Sequence, residues 1–336
     1  MTSWCVASIV VHATGICTDG PPTGDSVGHH VPMTSRSTSA LHHDMMERLD
    51  ELLAASGRIA RRHFYGDLEA LAAADKRTDG GASGAGSAAV VGPGAAGGSS
   101  AAGGGYDPVT EADRAIEELL RAGISAMAPG DRVVGEENGV TGPDDAIRTW
   151  YLDPIDGTKA FLTGMAGWGT LVGVVEDGRA VAGWMDQPVL GETFSAVHGR
   201  ATVRRRSEGP GAIDLRVSGC RELSEAIMYT THPSMFDDPD DDEVRRRYDE
   251  LGRRVRLQRF GGDCYAYCML AAGRVDLVVE ADLNSYDIVA LIPIIEAAGG
   301  VITGPDGRQP LDGGTVVAAA TPELAEQAWA VLRGGQ

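Results

Sequence analysis

Asp153-Pro154-Ile155-Asp156-Gly157-Thr158 sets two carboxylates three residues apart, on either side of a backbone carbonyl, directly after the apolar run Trp150-Tyr151-Leu152. That run reads as a strand. Pro154 suits neither a strand nor a helix interior, so a turn is expected there. Gly157 lets the backbone come close to a ligand, and a helix is expected to open behind it. A strand–turn–helix of this make offers Asp and carbonyl oxygens to a hard cation such as Mg2+. It also aims the unpaired amides of a first helical turn at an anion. Metal plus phosphate is the chemistry indicated. An Asp-Pro turn beside a glycine is equally an ordinary loop signal, so the weight of the reading depends on the rest of the chain.

The chain has 336 residues, enough to bury a sizeable core in one large domain or two. It carries 29 Lys and Arg against 48 Asp and Glu, a formal net charge of −19. Such a balance disfavours a nucleic-acid binder, which needs a basic face, and adhesion to anionic membranes. A small phosphorylated substrate stays compatible, because bound divalent cations reverse the local sign. The five cysteines (Cys5, Cys17, Cys220, Cys264 and Cys268) are odd in number and form no Cys-x-x-Cys. No disulfide framework is expected, and the cytoplasm is the expected location. Cys264 and Cys268, one helical turn apart, are expected as buried thiols. Of the eight histidines, only His63, His198 and His232 lie beyond residue 43, without zinc-type spacing. No apolar run is long enough to span a bilayer, and no basic residue precedes Ala7–Val11, so no secretory signal is expected.

Residues 1–43 lack periodicity and are expected to be a disordered leader or an upstream extension, with Met33 and Met45 as alternative starts. The fold is expected from Asp44, where Met46, Leu49, Leu52, Leu53 and Ile59 recur at helical spacing. Residues 80–105 are almost wholly Gly, Ala and Ser and read as a flexible insertion. Closing a longer loop costs only about 0.6 kcal/mol per doubling of length, so the fold should tolerate it. A helix is expected from Thr110, with Ile116, Leu119, Leu120 and Ile124 on one face. Strands are expected at 133–134, 170–175, 179–185 and 193–197, with a turn at Asp177-Gly178. The second half alternates: strands at 215–217, 227–230, 254–257, 275–279 and 316–319, helices at 242–251, 265–271, 287–298 and 322–332. The pattern predicts α+β or α/β architecture, helices layered with two sheets, in an N-terminal unit 44–200 and a C-terminal unit 201–336.

Three further acidic segments flank the central one. Asp107-Pro-Val-Thr110-Glu-Ala-Asp113 is either a site element or a capping box. Gly135-Glu136-Glu137-Asn138 ends an expected strand. Ser285-Tyr286-Asp287 opens an apolar helix, where Asp287 is either a ligand or an N-cap. In this order the four segments resemble the inositol monophosphatase superfamily of metal-dependent, lithium-sensitive phosphatases, over roughly residues 45–332. The resemblance implies a layered αβαβα sandwich of the inositol monophosphatase and fructose-1,6-bisphosphatase type. It implies that Glu136, Asp153, the carbonyl of Ile155, Asp156 and Asp287 bind two or three Mg2+ ions. It further implies that Asp113 and Thr158 activate water, that Gly157 and Thr158 hold phosphate through their amides, and that the protein is a homodimer. Lys76 belongs to a loop that shapes an additional metal site in the family. Electrostatics agrees: carboxylates 4 Å apart repel by about 4 kcal/mol at an effective dielectric of 20, and no Arg or Lys stands beside each in sequence.

The C-terminal half is similar to the histidinol-phosphate phosphatase branch, in Phe260-Gly261-Gly262-Asp263-Cys264-Tyr265, Val275–Glu280, Tyr286-Asp287, Asp186-Gln187-Pro188 and Leu291–Glu296. Asn284-Ser285 departs from that branch, which has Lys-Pro there. Histidinol phosphate carries an ammonium and an imidazole, which Asp263 and Glu280 suit as partners. Asp263 is otherwise the cap of the following helix. The expected activity is Mg2+-dependent hydrolysis of L-histidinol phosphate. The alternatives are inositol 1-phosphate or mixed sugar phosphates, a 3′,5′-bisphosphate nucleotide, and a non-catalytic binder of metal and phosphate.

Overall fold

The computed structural model describes residues 38–66, 108–209 and 211–335. The insertion at 80–105, Lys76, Asp107 and most of the segment 1–43 lie outside the described residues.

The described chain stacks in five layers. The outermost holds α1 (Thr38–Tyr65) and α2 (Pro108–Met127). Ala112, Ile116, Leu120 and Ile124 recur every fourth residue of α2 and are completely buried, as an amphipathic stripe requires. They pack with Leu49 and Leu53 of α1 against Trp150, Leu152, Val172 and Trp184 of the first sheet. That sheet has eight strands in the order β2-β1-β3-β4-β5-β6-β7-β8. They are β1 (Arg132–Gly135), β2 (Gly139–Thr141), β3 (Arg148–Asp156), β4 (Gly169–Glu176), β5 (Arg179–Gln187), β6 (Glu192–Val197), β7 (Arg200–Arg205) and β8 (Ala212–Asp214). All neighbours run antiparallel except β1 and β3. A five-residue helix, α3 (Thr158–Leu162), follows β3.

The other strands, β9 (Ile227–Thr230), β10 (Leu257–Phe260), β11 (Leu277–Leu283), β12 (Val301–Thr303) and β13 (Gly314–Ala319), form a second sheet in the order β10-β9-β11-β13-β12. Between the sheets lie α5 (Asp263–Ala271), α6 (Ser285–Ile288) and α7 (Leu291–Ala297), sharing one core with both. Outside the second sheet, α4 (Asp242–Arg254) and α8 (Pro322–Leu332) close the stack around Tyr248, Leu251 and Trp329. This is the layered αβαβα sandwich expected. Among the described residues no helix is long and apolar enough to cross a membrane.

Several local expectations are corrected. No turn forms at Pro154: β3 runs through it to Asp156. The parallel pairing with β1 ends at Leu152, so the missing N–H faces a free edge where it breaks no ladder. The expected helix 287–298 is divided into α6 and α7, because Pro293 has no N–H for the carbonyl of Val289. The strand expected at 254–257 begins at Leu257. Here α4 continues to Arg254, whose guanidinium binds Glu250 one turn back at 2.9 Å, and basic residues suit a helix C-terminus. The strand expected at 215–217 lies at 212–214; beyond it the chain leaves the sheet, and the N–H of Val217 donates to Ala298. The short strands 139–141, 200–205 and 301–303 were not foreseen. Helix α1 starts at Thr38, six residues before Asp44, and the first sheet runs on to Asp214, past residue 200.

One close approach positions the site. Gly173 and Gly183 are cross-strand partners on β4 and β5. A Cβ on Gly173 would lie 2.7 Å from the nitrogen of Ala290, and one on Gly183 only 1.9 Å from its oxygen. The bare glycine pair lets the segment after Asp287 rest directly on the sheet. Overpacking a core costs about 1–3 kcal/mol, and a clash with backbone belongs at the upper end. Gly183→Ala is expected to destabilise the protein by about 3 kcal/mol in urea unfolding; a loss within error would show that this contact yields freely.

Candidate active site and metal centre

The site assembles at one end of β3. Side chains on a strand alternate faces, so Asp153 and Asp156 would point in opposite directions on a regular strand. The register shows otherwise: Asp153 pairs with Leu171 and Asp156 with Gly169, so β3 advances three residues while β4 advances two. This bulge turns both carboxylates to one side. Oxygens of Asp153, Asp156 and Asp287 come within 4.8 Å of one another. The bulge is fastened by the Thr170 hydroxyl, which donates to the Pro154 carbonyl at 2.7 Å.

Glu136 follows directly after β1, and its N–H donates to the Leu152 carbonyl at 3.2 Å, which sets it beside Asp153. Asp287 is the third residue of α6. Its Oδ2 accepts the Asn284 N–H at 2.7 Å within a capping box. Asn284 is therefore the N-cap, and Asp287 combines a capping contact with a place in the carboxylate cluster. Asp113 is buried in α2, and its charge bears on Asp153. Helix α2 begins at Pro108, so Thr110 lies inside the first turn and is not the N-cap of a capping box.

Gly157, in the left-handed region at φ 85°, passes from the bulge into α3. A Cβ there would meet Asp263 and the Trp168 backbone at 3.1 Å. Thr158 donates its hydroxyl to the Ile155 carbonyl at 3.3 Å. Asp263 opens α5 at φ 41° but does not cap it; Asp156 does, its Oδ2 accepting the Cys264 N–H at 2.8 Å. Glu280 is buried on β11. Its Oε1 accepts the Thr231 N–H and hydroxyl at 2.9 and 2.6 Å, and its Oε2 the Tyr267 hydroxyl at 3.0 Å. Glu136, Asp156, Gly157, Thr158, Asp263, Glu280 and Asp287 all line one cleft of about 360 Å³. Asp153 and Asp113 are buried, and Cys264 and Cys268 are the buried thiols expected.

The electrostatics follow from crowding. Burial, then the charges of Glu136, Asp156 and Asp287, push Asp153 well above the usual carboxylate range. Burial and Asp287 do the same to Asp156. Glu136 is pushed up to about 7 by surrounding protein, then by Asp287 and Glu137. Burial likewise pushes Glu280 to about 7, opposed by its bonds from Thr231 and Tyr267. Lys159, which sequence reasoning overlooked although it directly follows Thr158, stands in the cleft; burial pushes Asp263 up, opposed by the charge of Lys159 and a bond from Thr231. Glu117 was also overlooked: a fully buried carboxylate in α2 that accepts the N–H groups of Glu137 and Asn138. Its buried face and i,i+4 pairing with Arg121 were the only sequence signals.

The donor set fits a hard divalent cation. Asp153 Oδ1 is buried and has no hydrogen-bond partner, a costly state that an ion would relieve. The oxygen-only ligands are those Mg2+ prefers. A pH dependence follows. Glu136 ordinarily titrates at 4.5 and here near 7, so between those values the folded protein holds more protons than the unfolded one. The contribution of Glu136 to stability then falls as pH rises through that window. Thermal melts in chelator are expected to show a declining Tm from about pH 4.5 to 7, with the gain on adding Mg2+ growing over the same interval. A Mg2+ effect that is constant with pH would contradict the cluster electrostatics.

Comparison with known proteins gives a consistent result. The sequence profile of the inositol monophosphatase family matches residues 82–334. Bifunctional phosphatase IMPL2, chloroplastic, from Arabidopsis thaliana is 40% identical over 203 residues, 60% of this chain and 56% of that protein, so the match spans little more than half the plant protein. A histidinol-phosphatase from Chlorobaculum parvum is 34% identical over 230 residues, 68% of this chain and 85% of that protein. The solved structure of an inositol monophosphatase from Zymomonas mobilis superposes with a TM-score of 0.68 at 32% identity, covering 88% of this chain and 99% of that one.

Proposed function

The chain belongs to the inositol monophosphatase family, a family of phosphatases, and on that premise we propose that it hydrolyses L-histidinol phosphate to L-histidinol and phosphate with Mg2+. The observation that carries the substrate choice is the arrangement of the cleft. Asp263 and Glu280 line it together with the cluster carboxylates Glu136, Asp156 and Asp287. A substrate with an anionic phosphate and a cationic ammonium at opposite ends suits such a cleft. A neutral polyol offers Asp263 no cation beyond Lys159. Glu280 is held by Thr231 and Tyr267, so it supplies negative charge from the wall while Asp263 makes the direct contact.

Glu136, Asp153, the Ile155 carbonyl, Asp156 and Asp287 would hold Mg2+. When bound, the ion acidifies water and neutralises charge on the phosphoryl oxygens and the leaving alkoxide. The protein's own part is positioning, which is most of what phosphoryl transfer needs. The Thr158 hydroxyl, with Asp113 as the buried base, would orient the attacking water. The Gly157 and Thr158 amides would hold the phosphate. Because Thr158 Oγ1 donates to Ile155 O at 3.3 Å, a modest χ1 rotation would free it for water once that carbonyl is otherwise engaged.

A second reading, inositol 1-phosphate or a mixed set of sugar phosphates, is supported by the Zymomonas mobilis likeness. Phosphate release from histidinol phosphate and inositol 1-phosphate, with Mg2+, with chelator and with added Li+, separates them. Activity is expected only with Mg2+ and to fall with Li+. Asp263→Ala is expected to raise KM at least tenfold for histidinol phosphate and little for inositol 1-phosphate. Tenfold is only about 1.4 kcal/mol, well within reach of one charge-assisted contact. Equal effects on both esters would remove the case for the cationic substrate, and full activity after chelation would remove the metal.

A further inference from the structure

We propose that Glu117 is a positioning residue for the metal centre, a buried latch that fixes the turn carrying Glu136. The inference rests on the metal reading above. Glu117 lies one helical turn after Asp113 in α2 and is completely buried. Both its oxygens are engaged by the turn: Oε2 accepts the Glu137 N–H at 2.7 Å, and Oε1 the Asn138 N–H at 3.0 Å. Oε1 also accepts Arg121 Nε at 2.6 Å. The Arg121 fork continues to the Thr141 hydroxyl at 2.8 Å and to the Gly139 carbonyl, so it grips the far side of the same hairpin. Arg114, also on α2, pairs with Glu137 at 3.5 Å.

The fit is close. A Cβ on Gly135 would lie 2.5 Å from the Glu117 carboxyl carbon, so the strand passes directly against the carboxylate. The two amides that follow Glu136 are thus held from α2, while its own N–H is held by the Leu152 carbonyl. With these three amides fixed, little backbone freedom is left to Glu136. Stability alone is a weak reason for a buried ion pair, since well-packed apolar residues often do as well. Holding a ligand at fixed geometry is what surroundings of metal sites do, and losing such a partner typically weakens metal binding about 10–100-fold. Because α2 also carries Asp113, the latch ties Glu136 and Asp113 to one rigid element.

The test is calorimetric titration of Mg2+ into metal-free protein, wild type against Glu117→Gln. Gln keeps the volume but has one acceptor oxygen, so one turn N–H loses its partner. Mg2+ binding is expected to weaken at least tenfold in folded Glu117→Gln. An unchanged Mg2+ affinity with a lowered Tm would mean a purely structural role and overturn the proposal. Wild type that takes up no Mg2+ would instead remove the metal reading beneath it, a different failure. The unmodified protein gives a second measurement that needs no variant. Coupling is reciprocal, so hydrogen exchange at the Glu137 and Asn138 amides is expected to slow when Mg2+ is added. Exchange indifferent to Mg2+ would overturn the latch even if Glu117→Gln did not fold.

Discussion

Mutual repulsion among carboxylates is the constraint around which this structure is built. Asp153, Asp156 and Asp287 bring oxygens within 4.8 Å of one another, with Glu136 beside them. Each pair at such range is worth about 4 kcal/mol of repulsion at an effective dielectric of 20, and burial adds to it. Burial leads for all four groups; other carboxylates come next for Glu136, Asp153 and Asp156, while Asn284 opposes the rise at Asp287, and among the described residues no cation stands out as offsetting them. The rest of the fold supplies the stability that this arrangement gives up. Native domains hold only about 5–15 kcal/mol in reserve, so the cluster is affordable only on a large, well-packed scaffold.

Rigid delivery from several directions answers that need. A bulge points two aspartates the same way. A parallel neighbour strand sets Glu136 alongside them. A pair of bare glycines lets the Asp287 segment settle onto the sheet. Asp156 spends one oxygen on the Cys264 amide in the first turn of α5, so this carboxylate joins the first sheet to a helix between the sheets as well as to the cluster. Each device is local and ordinary. Together they leave the carboxylates no relaxed alternative, so only protonation or a cation can discharge the strain.

The acidic segments were legible in the sequence because their chemistry is carried by residue type and order. Of the residues singled out from them, Glu136, Asp156, Gly157, Thr158 and Asp287 line the cleft, and Asp113 and Asp153 are buried. The layered architecture followed from alternating apolar periodicities, and α8 was placed to the residue. What was not legible depended on pairing. The course of β3 through Pro154 is decided by where β1 stops, and the break before α7 by which carbonyl Pro293 would have served. Nothing local announces either. Glu117 and Lys159 were overlooked for the same reason: in sequence each is one more charged residue on an expected helix, and only the fold shows what it faces. Asp263 read as a substrate contact, with a helix cap as the alternative, and Asp156 takes the capping role.

The cleft also has a polarity that bears on the order of events. Before cations enter, a phosphate dianion approaching Asp156 and Glu136 meets only like charge, apart from Lys159 beside Asp263. An ammonium, by contrast, is attracted at once. A zwitterionic ester would therefore be drawn in by its cationic end and admitted fully only when the opposite end of the cleft had changed sign. A neutral polyol phosphate lacks the first of these attractions. The carboxylates that oppose phosphate before a cation binds would thus give a physical basis for discrimination between the two esters. A chain with a net charge of −19 can in this way serve a phosphorylated substrate.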